Sequence, residues 1–168
     1  QLVMQTLISL GIEVIDLGLS TTPTVEMAVP AEKAAGGIII TASHNPKEWN
    51  ALKLLNAKGE FIDASIGAQV LSVAEAQNFN FSSVDKLGKI ISKDYLEAHI
   101  NAVLQYPLVQ RENIAKKKLK VVVDAINSTG AIYVPTLLKA LGVETVIVLN
   151  ESVNGHFAHN PEPLPEHL

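Results

Sequence analysis

Cysteine is absent from the 168 residues, which excludes a disulfide framework and thiolate metal sites and is compatible with a reducing compartment. No apolar run is long enough to span a bilayer, and no secretory leader pattern is found, so the expectation is a cytoplasmic protein with no membrane partner. There is no basic excess either. The formal net charge is −4 and the isoelectric point is near 5.7, which gives no global field for nucleic acid or anionic lipid. Lys116 to Lys118 form a local cluster, read as a solvated approach to a strand. A Gly-x-Ser-x-Gly elbow is missing, and His44 adjoins Ser43 in the chain where a hydrolase would bring its base from another loop. Serine hydrolysis is accordingly a minor reading.

What is present is a core. With 48% hydrophobic and 18% charged residues, the chain can form one domain or two small ones. Its focal stretch is Gly36-Gly37-Ile38-Ile39-Ile40-Thr41-Ala42-Ser43-His44-Asn45-Pro46. Three isoleucines bounded by glycines predict a strand buried on both faces. Ser43 falls just past its carboxyl end, where ligands bind in open parallel α/β sheets, and Pro46 stops the ladder. The hydroxyl is therefore expected to be presented to solvent or ligand.

In chain order, Leu2, Val3, Leu7 and Leu10 predict a helix with Gly11 at a left-handed cap. Gln1 opens the chain inside that helix, so the sequence reads as an excerpt of a longer protein. Ile12 to Leu17 reads as a strand. Thr24 is expected to cap a helix over 25–35, with Pro30 kinking or breaking it. This helix, strand, helix, strand order implies a parallel sheet with right-handed crossovers. Leu52 to Asn56 and Glu60 to Ile62 read as a hairpin around Ala57-Lys58-Gly59, with Lys53 on its first strand. Asp63 is expected to cap a helix carrying Ile66, Val70 and Val73 on one stripe.

Residues 78–88 read as loop, and Ser92 as the cap of a helix over 93–106 with Leu96, Ile100 and Val103 inward and His99 as a structural residue. Residues 110–118 are polar and basic, and Leu119 to Val123 then opens a second unit. There Val121-Val122-Val123-Asp124 predicts a buried strand, residues 131–141 a helix closed by Gly142, and residues 143–149 a second strand. The turn from Asp124 to Gly130 has too little glycine for a dinucleotide or Walker loop, and reads as structural, with Asp124 or Asn127 satisfying backbone donors. Beyond Asn150 the prolines at 161, 163 and 165 enforce a loop, then an incipient helix, and His156, His159 and His167 read as ordinary surface histidines.

Thr41-Ala42-Ser43-His44-Asn45-Pro46, followed by Asn50 and by Lys53 ten residues beyond Ser43, resembles the signature of the α-D-phosphohexomutases, the family of phosphoglucomutase/phosphomannomutase and phosphoglucosamine mutase. The likeness extends over nearly the whole chain. It departs at Ala51, where the family has glycine, and at Ser128, where the family has Asn-Gly for Asn127-Ser128. The resemblance implies an α/β fold of mixed, mostly parallel sheets flanked by helices in three-layer α/β/α domains. Domain 1 would occupy residues 1–110 and the start of domain 2 residues 111–168. It also implies interconversion of hexose 1-phosphate and hexose 6-phosphate through a phosphoserine at Ser43 and a bisphosphorylated sugar. His44 and Lys53 would be catalytic partners. Mg²⁺ would be held by phosphorylated Ser43 and by aspartates outside this chain, so the excerpt alone is expected to be inactive. The alternative is a non-catalytic sugar-phosphate-binding or oligomerisation module of the same fold. Which hexose phosphate is used, and the oligomeric state, are not written in these residues.

Overall fold

The structure, a computed structural model, describes residues 1–45, 48–162 and 164–167. The roles expected of Pro46 and Pro163 lie outside the described residues. Helix α1 (Leu2–Ser9) ends where Gly11 takes φ 81°, and strand β1 (Val14–Asp16) follows. Helix α2 (Thr22–Ala31) is capped by Thr21, whose side chain accepts from the Thr24 amide; Thr24 itself lies within the first turn and is fully buried. The cap falls earlier than expected because Pro23 suits the first helical turn, where its missing N–H is not needed. Pro30 does not break the helix midway, since α2 ends one residue later, at Ala31. Pro30 leaves the Glu26 carbonyl without its helical donor. Gly59 packs against that carbonyl at φ 80°, and a Cβ there would lie 2.0 Å from the oxygen, so residue 59 must be glycine.

Strand β2 (Gly37–Thr41) pairs antiparallel with β3 (Ala51–Leu55), in the register Ile39 opposite Lys53 and Thr41 opposite Ala51. The turn beyond β3 forms as expected, with Asn56 donating to the Glu60 carbonyl at 2.8 Å, though its second arm is a single bridge between Leu55 and Phe61. The triple isoleucine is not buried on both faces. Ile39 joins Val29 and Leu55 in the core, whereas Ile38 and Ile40 point outward. Nor do β1 and β2 share a parallel sheet: β1 pairs in parallel with a strand absent from the sequence reading, β4 (Ile90–Ser92). The described strands thus form three two-stranded sheets, two parallel and one antiparallel.

Helix α3 (Ala64–Ala76) is capped as expected, with Asp63 Oδ1 accepting from the amides of Ser65 and Ile66 at 2.9 Å. Its Ile66, Val70 and Val73 stripe is exposed and joins no core cluster among the described residues. Ser92 lies in β4 and caps nothing. Helix α4 (Leu96–Gln105) begins later, where Asp94 Oδ1 accepts from the Leu96 amide, and it turns Ile100 into the core. The polar stretch after it contains a short helix, α5 (Arg111–Lys116). Then come β5 (Lys120–Asp124), α6 (Gly130–Ala140) and β6 (Thr145–Leu149), with β5 and β6 parallel and Gly142 at φ 88° closing α6. This is the expected βαβ unit, but β5 is not fully buried. Its residues alternate, with Val121 and Val123 half-buried and Val122 exposed. The incipient helix is a single 3₁₀ turn at Pro165–His167.

Polar side chains join the two units. Thr24 Oγ1 lies 2.7 Å from Thr21 Oγ1 and 2.9 Å from His99 Nδ1, so His99 is structural, as read from its place on the helix flank. The His99 ring sits 6.4 Å from that of Tyr133 on α6, whose hydroxyl donates to Ser20 Oγ at 3.3 Å. A buried hydroxyl satisfied on two sides costs little, but one left unpaired costs about 1–3 kcal/mol.

Because Leu55 is 4% exposed and Ile40 53%, alanine at the two positions should behave differently. Leu55→Ala is expected to lower unfolding stability by about 2–5 kcal/mol, as for buried leucines, and Ile40→Ala by less than about 1. Urea denaturation measures both, and equal losses would show that β2 buries both of its faces.

Candidate functional site

Ser43 stands two residues past the end of β2. Its amide donates to Thr41 Oγ1 at 2.9 Å, and the Asn45 amide closes a turn onto the Ala42 carbonyl at 3.0 Å. Within this turn Ser43 adopts φ 57°, a left-handed conformation that is uncommon for a residue other than glycine. Such conformations concentrate where a side chain must be aimed in a particular direction. Ser43, His44 and Asn45 are all exposed. Ser43 Oγ lies 3.3 Å from His44 Nδ1, so the hydroxyl and imidazole share one accessible spot.

Lys53 is not part of that contact. It is half-buried, in register with Ile39, four residues upstream of Ser43, and its Nζ sits 5.9 Å from the centre of the Phe61 ring. A strand advances about 3.4 Å per residue, so the ammonium would have to leave the ring and follow β2 toward its end to meet Ser43. Directly opposed residues in an antiparallel pair share a face, which places Lys53 on the Ile39 face of the ladder.

A crevice of about 480 Å³ opens elsewhere, at the carboxyl ends of β1 and β4, lined by Asp16, Gly18, Ser92, Lys93, Asp94 and Tyr133 among others. Its cation is already engaged. Lys93 Nζ lies 2.6 Å from Glu32 Oε2, and the Tyr95 hydroxyl donates to the other oxygen of the same carboxylate. The bonds from Lys93 and then Tyr95 hold the Glu32 carboxyl below its usual range, and the bond to Glu32 raises the Tyr95 phenol to about 12.

At the carboxyl end of β5, the Asp124 carboxylate accepts from Asn150 Nδ2 at 2.9 Å, from the Ile126 amide at 3.0 Å and from His159 Nε2 at 3.0 Å. Asn150 first, then Ile126 and His159, lower its pKa. The structural reading of this turn therefore holds. His156 and His159 are exposed, as read, and His167 is half-buried; their bonds are not part of that reading: His159 pairs with Asp124, His167 Nδ1 lies 2.9 Å from the Glu162 carbonyl, and the His156 carbonyl accepts from Asn127. No sequence spacing signals the bonds of His159 and His156, whose partners Asp124 and Asn127 lie 35 and 29 residues upstream at the end of β5, whereas His167 bonds within its own segment. Among the described residues no group of three or more His, Cys, Asp or Glu could hold a metal ion, and no helix is long and apolar enough to cross a membrane.

Residues 1–81 match the family described as phosphoglucomutase/phosphomannomutase, alpha/beta/alpha domain I, and residues 93–168 match domain II of the same family. The chain belongs to the phosphoglucomutase/phosphomannomutase family. It is 37% identical over 163 residues to a phosphoglucomutase/phosphomannomutase of Thermococcus kodakarensis, covering 96% of this chain and 35% of that protein. It is 32% identical over 160 residues to a phosphoglucosamine/phosphogalactosamine mutase of Sulfurisphaera tokodaii, covering 94% of this chain and 34% of that one. The chain thus spans about a third of the length of these relatives. A crystal structure of a phosphoglucomutase/phosphomannomutase family protein from Burkholderia thailandensis superposes with a TM-score of 0.71 at 22% identity, over 94% of this chain and 33% of that one, a likeness of fold. The chain's architecture is mixed α/β, with two parallel sheets, one antiparallel sheet and flanking helices, in keeping with that fold.

The Tyr95 phenol is expected to titrate at about 12 where an ordinary tyrosine titrates at 10.0. Glu32→Gln should bring it back toward the ordinary value by removing the carboxylate that favours the protonated phenol. Ultraviolet difference titration reads both, and a wild-type phenol titrating at 10 would show that the Glu32 bond does not form.

Proposed function

We propose that the full-length protein containing this chain is a phosphohexomutase that interconverts hexose 1-phosphate and hexose 6-phosphate, with Ser43 as its phosphoryl carrier. The observation that carries this reading is the presentation of Ser43, an exposed hydroxyl in a left-handed turn at a strand's carboxyl end, beside His44. The names of the relatives support the reaction class.

In the forward half-reaction the phosphoserine Oγ–P bond breaks and a bond forms between that phosphorus and a sugar hydroxyl oxygen, whose proton leaves to a base. The bisphosphorylated sugar then reorients and returns its other phosphoryl group to Ser43 Oγ, so carrier and phosphate count are restored. A loose phosphoryl-transfer transition state asks mainly for positioning and for charge neutralisation on its outer oxygens. His44, when protonated, donates toward those oxygens from its place beside Oγ. Lys53 supplies an ammonium or exchanges the sugar proton once it swings from Phe61 to the end of β2. Mg²⁺ would neutralise phosphoryl charge, with phosphorylated Ser43 as the one ligand this chain provides. Hard phosphoryl oxygens suit that ion, and its remaining protein oxygens would come from aspartates outside the chain.

Ser43→Ala in the full-length enzyme is expected to abolish turnover and phosphate incorporation while changing stability by no more than about 0.5 kcal/mol, as for exposed sites. Phosphopeptide mapping that places the label on another residue, or full activity in the alanine variant, would overturn the assignment.

Lys53→Met should keep Ser43 phosphorylation and lower kcat by roughly 10²-fold or more, within the range for positioned acid–base groups. A raised KM with unchanged kcat would mean that Lys53 binds substrate and transition state alike and is not catalytic.

A further inference from the structure

Two features at the end of the βαβ unit call for a common account. The first is backbone strain. Ile126, Asn127 and Asn150 have φ of 47°, 56° and 50°, and Ile126 is β-branched, for which a positive φ is a genuine outlier. The second is the way the segment after β6 is fastened to this turn. The Asn127 amide donates to the Asn150 carbonyl, the Gly155 amide to the Asn127 carbonyl at 3.1 Å, and Asn127 Nδ2 to the His156 carbonyl at 2.9 Å. The segment also forms one wall of a crevice of about 280 Å³, where Val153, Asn154 and Gly155 face Asn127, Thr129 and Leu19.

The protonation of the fastening histidine follows from its partners. His159 Nδ1 lies 2.9 Å from the Asn160 carbonyl, and Nε2 lies 3.0 Å from the Asp124 carboxylate. Asp124 is ionised, since its oxygens also accept from Asn150 and Ile126. Neither partner of His159 has a hydrogen to give, so both ring nitrogens must donate, which only the imidazolium can do. His167 shows the opposite pattern. Its Nδ1 faces the Glu162 carbonyl, and its Nε2 faces Asn160 Nδ2, a donor, so its partners do not call on both ring nitrogens to donate.

We propose that residues 151–160 are a pH-operated strap, latched to the end of β5 by the doubly protonated His159 and closing one side of the crevice over Asn127. Asp124 on β5 is the charged group facing His159. Asn150 from the end of β6 and Asn127 from the β5–α6 turn are uncharged, His156 contributes its backbone carbonyl, and His167 is engaged by Glu162 and Asn160. His159 is raised above its ordinary value of 6.5, chiefly by the Asp124 bond, and Asp124 is lowered below 3.8. A raised histidine contributes stability that is complete below the unfolded value and is lost as pH rises through the folded one. A lowered carboxylate contributes stability that is lost only as pH falls through its folded value. The latch is therefore closed from just above the Asp124 titration to about pH 6.5, and opens as His159 loses its second proton. The device is independent of the chemistry at Ser43.

Selective ¹⁵N-histidine labelling of the full-length protein reads the ring directly, and hydrogen exchange over 151–160, corrected for intrinsic rate, reads the strap. His159 should titrate above 6.5 with both nitrogens protonated below that transition. Strap protection should fall roughly fivefold across the transition, the scale of an exposed ion pair. Asp124→Asn should move the His159 transition down and remove the step in protection. His159→Gln, which keeps a donor without a titration, should make protection independent of pH. An ordinary His159 titration, or wild-type protection unchanged through it, overturns the proposal.

Discussion

The closure of Ile39 and Leu55 over Val29 is the contact on which the first unit depends. Once Ile39 faces inward, the period of two along a strand sends Ile38 and Ile40 outward, and a slip of one residue would reverse every side chain. The same contact fixes the register that sets Lys53 opposite Ile39. Continuing the strand past Thr41 would simply extend the ladder. The left-handed turn at Ser43 breaks that geometry, so the serine is aimed by the turn while the core anchors the strand beneath it.

The second anchor is polar. Thr24 is shielded from water because α2, α4 and the loop before α2 converge on it, and its hydroxyl is matched by Thr21 and His99. Tyr133 then carries the second unit onto the Ser20 loop. Hydrogen bonds of this kind are directional, so they specify how α6 meets α4 more sharply than apolar contact alone. The first unit's strand ends and the second unit's helix therefore meet around a satisfied polar centre.

Features decided within a few residues were legible in the chain. The Asp63 cap, the left-handed Gly11 and Gly142, and the turn closed at Gly59 each depend on neighbours three or four positions away. The Ser43 turn was legible as a motif and as a strand end, though nothing local announced its positive φ. The pairing of β1 with β4 was not legible, because Val14 and Ile90 find each other across most of the first unit and β4 is only three residues long. The isoleucine run misled for a related reason: composition suggests burial, but which face is covered depends on what the rest of the fold brings up. His159 was hidden most completely, since its role is set by Asp124, a residue with no sequence relation to it.

The pairing scheme has a consequence for how the chain behaves in bulk. Each described strand is laddered along one side only, apart from the single Leu55–Phe61 bridge beside β3. The opposite sides carry rows of N–H and C=O groups that will accept any extended chain offered to them. On β2 that open rim runs beside the outward isoleucines Ile38 and Ile40. The segment that gives the active-site candidate its footing thus also presents an adhesive edge, at which the separated chain can self-associate.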